Sequence, residues 1–109
     1  MDASWEGEES KEMREKNGVD GFYAGDRTKI ELPEIQLNAL KSIKKTGTPL
    51  IFILLAGSAI SLNGLDQELD AFLAAWYPGQ RGGDAVADVL FGKYNPAGRL
   101  PVTFYSSTN

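Results

Sequence analysis

The chain contains neither cysteine nor histidine in its 109 residues. Without cysteine there are no disulfides and no thiolate metal site, which leaves the redox compartment open. Without histidine, Ser-His-Asp and Cys-His catalysis and histidine-ligated zinc cannot be built from this chain alone. Acid–base chemistry therefore falls to carboxylates, lysine or tyrosine, and no metal or cofactor is expected. Long apolar runs are also missing. The longest, Leu50 to Ala56, is far too short to cross a bilayer, and residues 1–20 lack the apolar core of a signal peptide. There is no basic excess either. Seven acids and three bases fall in residues 1–20, against eight of each in 21–109, so the net charge of −4 resides entirely at the start. A balanced body offers no basic surface, and neither a nucleic-acid nor a membrane partner is expected.

What is present is the composition of a globular domain, 42% hydrophobic, 24% charged and 10% aromatic, at a length that can bury roughly two-thirds of its unfolded surface. Residues 1–21 have no sustained apolar period and read as an acidic, mobile loop. Within it Trp5-Glu6-Gly7-Glu8-Glu9 places three carboxylates within four residues, beside an indole. Taken alone, such a cluster is a solvated charged loop.

Residues 22–109 read as an α/β domain. Phe22 to Arg27 is a short aromatic stretch, and Pro33 opens a helix over 33–45. Along it Ile35, Ala39 and Ile43, with Leu32, Leu37 and Leu40, form an apolar stripe at helical spacing; Lys41, Lys44 and Lys45 crowd the last turn and Gly47 closes it. Pro49 to Ala56 shows no polar alternation, so both faces of that strand should be covered, and Gly57-Ser58 follow at its carboxyl end, where open α/β sheets place ligands. Asn63-Gly64 signals a turn, 67–69 a helical turn, and 71–76 a second buried strand. Pro78-Gly79 and Gly82-Gly83 then lead into a helical pattern carrying Ala85, Val86, Val89 and Leu90. Gly92 ends it, Asn95-Pro96-Ala97-Gly98 reads as a turn, and 100–105 as a third strand.

Gly79, Gly82 and Gly83 fit neither a phosphate-binding loop nor a dinucleotide fingerprint. Close backbone packing is their favoured role over an anion cradle at the helix start. The order of elements gives a mostly parallel sheet flanked by helices, a three-layer α/β/α sandwich. Three strands are few for so apolar a central one, and the domain is expected to be truncated at its amino-terminal side.

These residues carry a likeness. Gly25-Asp26-Arg27, Leu32-Pro33 with Gln36, Gly57-Ser58, Ala75-Trp76-Tyr77-Pro78-Gly79-Gln80 with Gly82-Gly83, Ala87-Asp88-Val89-Leu90-Phe91-Gly92 and Asn95 to Phe104 resemble the carboxy-terminal α/β sandwich domain of family-three glycoside hydrolases, the β-glucosidases and β-xylosidases. The resemblance implies one domain of a larger two-domain retaining enzyme. A barrel domain, here missing, supplies an Asp nucleophile, and a loop of the sandwich supplies a Glu that acts first as general acid and then as general base.

In many family members that Glu follows a glycine some distance before Gly-Asp-Arg. Gly7-Glu8 matches best, with Glu6 and Glu9 as alternates because they stand where small residues are common. Repulsion within the cluster would raise the pKa of a carboxyl there, which suits a proton donor. Trp5 either stacks on a sugar or packs. Asp26 and Arg27 are expected to form a structural ion pair rather than to serve catalysis. The partners implied are a β-linked glucoside or xyloside oligosaccharide and the barrel of the same chain. Many bacterial members are periplasmic or secreted. A non-catalytic binding module on the same sandwich is the competing reading, since fold alone does not grant function.

Overall fold

The computed structural model describes residues 22–23 and 26–107, with side chains from Arg27 onward; the acidic segment 1–21 lies outside the described residues. Phe22–Tyr23 (β1) and Asp26–Arg27 (β2) pair antiparallel, Phe22 opposite Arg27 and Tyr23 opposite Asp26. Sequence reasoning treats this stretch only as aromatic. The signal for a ribbon is the pair of residues separating the strands, the second of them glycine.

Helix α1 spans Glu34–Lys44. Pro33 stands just before it with extended geometry (φ −50, ψ 140), and its carbonyl accepts from the backbone N–H groups of Gln36 and Leu37. The boundary expected at 33 thus moves by one residue, within the usual fraying of helix ends. Glu34 in the first turn and Lys41 and Lys44 in the last oppose the helix dipole favourably, and Gly47 takes the left-handed conformation (φ +75) beyond the end. The apolar stripe splits. Leu37 and Leu40 are buried with Leu32, whereas Ile35 is 79% exposed and Ile43 is also exposed. Apolar residues cover more of the helix circumference than one contact surface can bury, and the sheet takes the Leu37–Leu40 side.

Strand β3, Ile51–Leu54, pairs parallel with β4, Ala71–Ala74, in the register Ile51–Ala71 to Leu54–Ala74. Phe52, Leu54 and then Ala56 alternate onto the buried face and join Leu32, Leu37, Leu40, Ile60 and Leu62 in one core. The opposite face is not covered as expected: Ile51 is 51% exposed, because no described element lies over it. The Phe52 and Phe72 rings meet edge to face at 5.5 Å across the strand pair. A parallel bridge between Glu31 and Ser61 extends this side of the molecule, with Leu32 N–H donating to Ser61 O and Ser61 N–H to Ile30 O, both at 2.8 Å.

Between the strands the chain turns at Asn63 (φ +51) and Gly64 (φ +84) into a short 3-10 helix at Leu65–Glu68, close to the helical turn expected at 67–69. Asp70 then anchors the start of β3, its Oδ2 accepting from Leu50 N–H at 2.7 Å. Helix α2, Gly82–Leu90, follows the Pro78-Gly79 turn, and Gly92 ends it at φ +74, the conformation its position calls for.

Three expectations need correction. The second strand stops at Ala74 instead of 76, because Trp76 has φ +55. Residues 95–98 run as irregular chain, over which Arg99 Nη1 donates to the carbonyls of Ala97 and Gly98 at 3.0 and 3.1 Å. The segment 100–105 forms no strand. Pro101 lacks the N–H a ladder requires, and Leu100, Val102 and Tyr105 stay exposed while Phe104 alone packs against the core. The chain is an α/β domain with a parallel sheet, and among the described residues one face of that sheet is covered.

Candidate functional site

Two parallel strands in register end at the same edge, so β3 and β4 open their carboxyl ends together at Leu54 and Ala74. In open α/β sheets this is the edge that receives ligands. Ala75 N–H still donates to Leu54 O at 2.9 Å, after which the two chains part into Gly57-Ser58 and Trp76-Tyr77. Trp76 then enters the left-handed region at φ +55. For a bulky aromatic residue that conformation is an outlier costing roughly 1–3 kcal/mol, and it persists only where the surroundings enforce it. Two contacts do so. The indole meets the Phe104 ring edge to face at 6.2 Å and 83°. Tyr77, redirected by the turn, brings the tip of its ring against Gly57: a Cβ at Gly57 would stand 2.8 Å from Tyr77 Cε2 and 3.2 Å from its hydroxyl oxygen. A side chain at Gly57 would displace the tip of that ring.

The loop beyond continues this close packing. Gly79 has φ +75, and Gly82 N–H donates to Gly79 O at 3.1 Å. A Cβ on Gly82 would meet Pro78 Cγ at 2.5 Å, whereas one on Gly83 meets nothing within 4 Å. Gly79 and Gly82 therefore have structural reasons of their own. Arg81 donates from Nε and Nη2 to Asp84 Oδ2 at 3.0 and 2.9 Å across the first turn of α2, so the cation beside the glycines already faces a carboxylate.

A second concavity of about 220 Å³ lies between Ile60, Leu62, Phe72, Phe104 and Tyr105. Of its hydroxyls, Ser61 Oγ donates to Ser106 O and accepts from Asn63 N–H, and so is satisfied within the protein. This groove, which Asp66 and Gln67 also line, is a mixed polar and apolar seam between the 3-10 helix region and the returning chain.

Of the residues singled out from sequence, Trp5, Glu6, Glu8 and Glu9 lie outside the described residues. The expected pair of Asp26 with Arg27 rests on an Asp26 side chain that is likewise outside them. The Arg27 guanidinium reaches Lys29 O at 3.5 Å. Sequence reasoning placed Gly57-Ser58 beyond the carboxyl end of the first strand, where they lie, but did not place Trp76 and Tyr77 beside them at the end of the second. The available signal was the placement of two aromatic residues directly after a strand that parallels β3. Among the described residues no group of three or more metal-ligating side chains converges, and no helix is long and apolar enough to cross a membrane. Gly57, Ser58, Trp76 and Tyr77 supply aromatic surface and backbone groups to this edge. They supply no carboxylate.

Residues 2–109 match the glycosyl hydrolase family 3 C-terminal domain. A xylan 1,4-beta-xylosidase of Xylanibacter ruminicola is 54% identical over 89 residues, 82% of this chain and 10% of the relative. A periplasmic beta-glucosidase of Salmonella typhimurium is 46% identical over 81 residues, 74% of this chain and 11% of its own. A beta-xylosidase of Formosa agariphila is 41% identical over 80 residues, with 73% and 11% covered. The chain thus spans about a tenth of the length of these relatives.

Proposed function

Since the chain belongs to the glycosyl hydrolase family 3 C-terminal domain family and is part of a glycoside hydrolase, we propose that it carries the acid–base glutamate of a retaining β-glycosidase, with Glu8 in that role. The match across residues 2–109 carries this reading, because it takes in the Gly7-Glu8 segment together with the sheet. The substrate is a non-reducing terminal β-D-glucosyl or β-D-xylosyl residue, supported by relatives named for both activities.

In the first step an Asp carboxylate from the barrel attacks the anomeric carbon. The bond from that carbon to the glycosidic oxygen breaks, and the Glu8 proton passes to the departing oxygen. In the second step a water gives a proton to the Glu8 carboxylate as its oxygen attacks the anomeric carbon and releases the Asp. The described edge, with its aromatic residues and close-packed glycines, suits the binding side of such a site. Because the nucleophile belongs to a different domain, the isolated 109-residue chain is expected not to hydrolyse β-glycosides.

The test is made in the full-length protein. Glu8→Ala should lose most activity on disaccharides, whose leaving groups need protonation, keep more on activated aryl glycosides, and regain turnover with azide, which replaces the missing base in the second step. Glu6→Ala and Glu9→Ala should show smaller losses that do not depend on the leaving group. If Glu6→Ala or Glu9→Ala gives the azide-rescued pattern and Glu8→Ala does not, the role moves to that residue. If none does, the acid–base assignment fails.

A further inference from the structure

The groove between the 3-10 helix at Leu65–Glu68 and the returning chain has the makings of a small binding site. It holds about 220 Å³, and Ile60 and Leu62 in its lining are 2% and 3% exposed, so its apolar part is continuous with the core. Phe72 and Phe104 also line it, and each meets another ring edge to face, Phe72 with Phe52 and Phe104 with Trp76. Ser61 Oγ donates to the Ser106 carbonyl, which ties the returning chain to residue 61. Beside this fixed apolar lining stand Asp66 and Gln67, both exposed, whose side chains make no hydrogen bond or ion pair with another described residue. Neither Gly57-Ser58 nor Tyr77 contributes, so the groove is not part of the carboxyl edge of the sheet.

The polar groups select the ligand. Asp66, with Glu68 two residues on, opposes an anion, and a wholly apolar ligand would take the Asp66 carboxylate and the Gln67 amide out of water without returning a hydrogen bond. What fits is a neutral ring with an apolar face and a rim of hydroxyls, which donate to the carboxylate and the amide oxygen and accept from the amide nitrogen. A pyranose is such a ring. At about 220 Å³ the groove falls below the ~300–1,000 Å³ of pockets for drug-sized ligands, so it takes one ring and not a length of chain. We propose that this groove is a second, non-catalytic carbohydrate site that holds a single pyranose, with Asp66 and Gln67 taking its hydroxyls and Ile60, Leu62 and Phe72 its apolar face. The choice of a sugar rests on membership of a glycoside hydrolase family, and the site does not depend on which glutamate is the acid–base. The ring is either a free monosaccharide or the terminal residue of a β-linked oligosaccharide.

The experiment follows hydrogen exchange of segments 62–68 and 103–107 in the full-length protein while D-xylose, D-glucose or a thio-linked, hydrolysis-resistant xylobiose is added. Sorbitol, an open-chain polyol, controls for the general stabilisation that excluded solutes give. Exchange in both segments should slow as sugar is added, by about tenfold at ten times the midpoint concentration, beyond any change with sorbitol. Slowing by the monosaccharides supports a free sugar as the source, and slowing by the disaccharide alone supports a chain end. Replacing the two exposed residues together, Asp66→Ala with Gln67→Ala, should cancel the sugar effect and leave kcat/KM on an aryl β-glycoside unchanged. Slowing no greater than with sorbitol overturns the proposal, and so does a sugar effect that survives intact in the double variant. A double variant that loses aryl-glycoside activity along with the sugar effect also overturns it, because the sugar would then act through the catalytic site. A parent protein that hydrolyses no β-glycoside overturns the catalytic reading alone and leaves this binding test in force.

Discussion

Gly82 and Gly83 are adjacent, identical in the sequence and both inside α2, yet the structure assigns their replacement by alanine opposite signs. At Gly82 the new Cβ would lie 2.5 Å from Pro78 Cγ and 3.0 Å from its Cβ. Carbon atoms pack comfortably at about 3.5–4.0 Å, so the overlap is about an ångström, and a proline ring has no rotamer that clears it. Relief requires the Pro78-Gly79 turn or the start of α2 to shift, an overpacking cost of about 1–3 kcal/mol. The gain from replacing glycine, at most about 0.5–1 kcal/mol as in a helix interior and less in this first turn, offsets only part of it. At Gly83 nothing lies within 4 Å, and the helical gain stands alone.

The two variants should therefore differ by about 2 kcal/mol, Gly83→Ala stabilising and Gly82→Ala destabilising. The comparison is clean because each variant removes one glycine's freedom from the unfolded chain, so denatured-state effects largely cancel. Hydrogen exchange of the amides in 86–90, measured in the full-length protein, reads the local opening of α2. It should be roughly thirtyfold faster in Gly82→Ala than in Gly83→Ala. Equal rates, or slower exchange in Gly82→Ala, would show that Pro78 does not pack on Gly82 and would remove the structural reason given for that glycine.

The core predicts a second contrast. Leu40, 4% exposed among Leu37, Phe52 and Leu54, should cost about 2–5 kcal/mol when cut to alanine, whereas Ile35 on the same helix should cost within about 0.5 kcal/mol, both read by chemical denaturation. Asp70 tests the junction between α1 and the sheet. Asp70→Ala leaves the Leu50 N–H without its 2.7 Å acceptor and should cost about 1 kcal/mol, while Lys44→Ala, whose Nζ stands 3.9 Å from the same carboxylate at the surface, should cost almost nothing; a larger effect for Lys44→Ala would mean that the ion pair, not the hydrogen bond, holds the junction.

These contrasts mark where sequence reading stops. The helix at 34–44 was legible because its start, dipole charges and left-handed glycine all agree. Which of its two apolar rows is buried was not, since Leu37 and Ile35 differ in burial and hardly in hydrophobicity. The same limit applies to β3, where an unbroken apolar run cannot say which face another element covers. The strand expected at 100–105 shows the opposite error, a β-rich composition given more weight than the missing N–H of Pro101. The left-handed turn at Trp76 ran against every local preference, because nothing in tryptophan favours positive φ. It becomes visible only when Tyr77 and Phe104 are placed in space. The Gly7-Glu8 assignment came from family resemblance, and no physical signal in the acidic cluster separates Glu8 from Glu6 or Glu9.

Violations of local preference at one edge have a physical meaning when the rest of the domain obeys the rules. α1, the β3–β4 register and the end of α2 are each locally consistent, while the carboxyl edge holds a left-handed tryptophan and a glycine pressed by a tyrosine ring. On the proposed reading the domain completes its site with a nucleophile that belongs to a different domain. Proton transfer requires hydrogen-bond distance, and a binding constellation needs its groups held to about half an ångström. An edge free to move by more than that would loosen a site shared between two domains. The left-handed Trp76 comes with two contacts that limit that freedom locally, its indole edge to face with Phe104 and the tip of the Tyr77 ring against Gly57. The cost in stability is borne where the domain can best tolerate it, next to a core whose buried leucines on α1 and aromatic contact across β3 and β4 do not depend on the site.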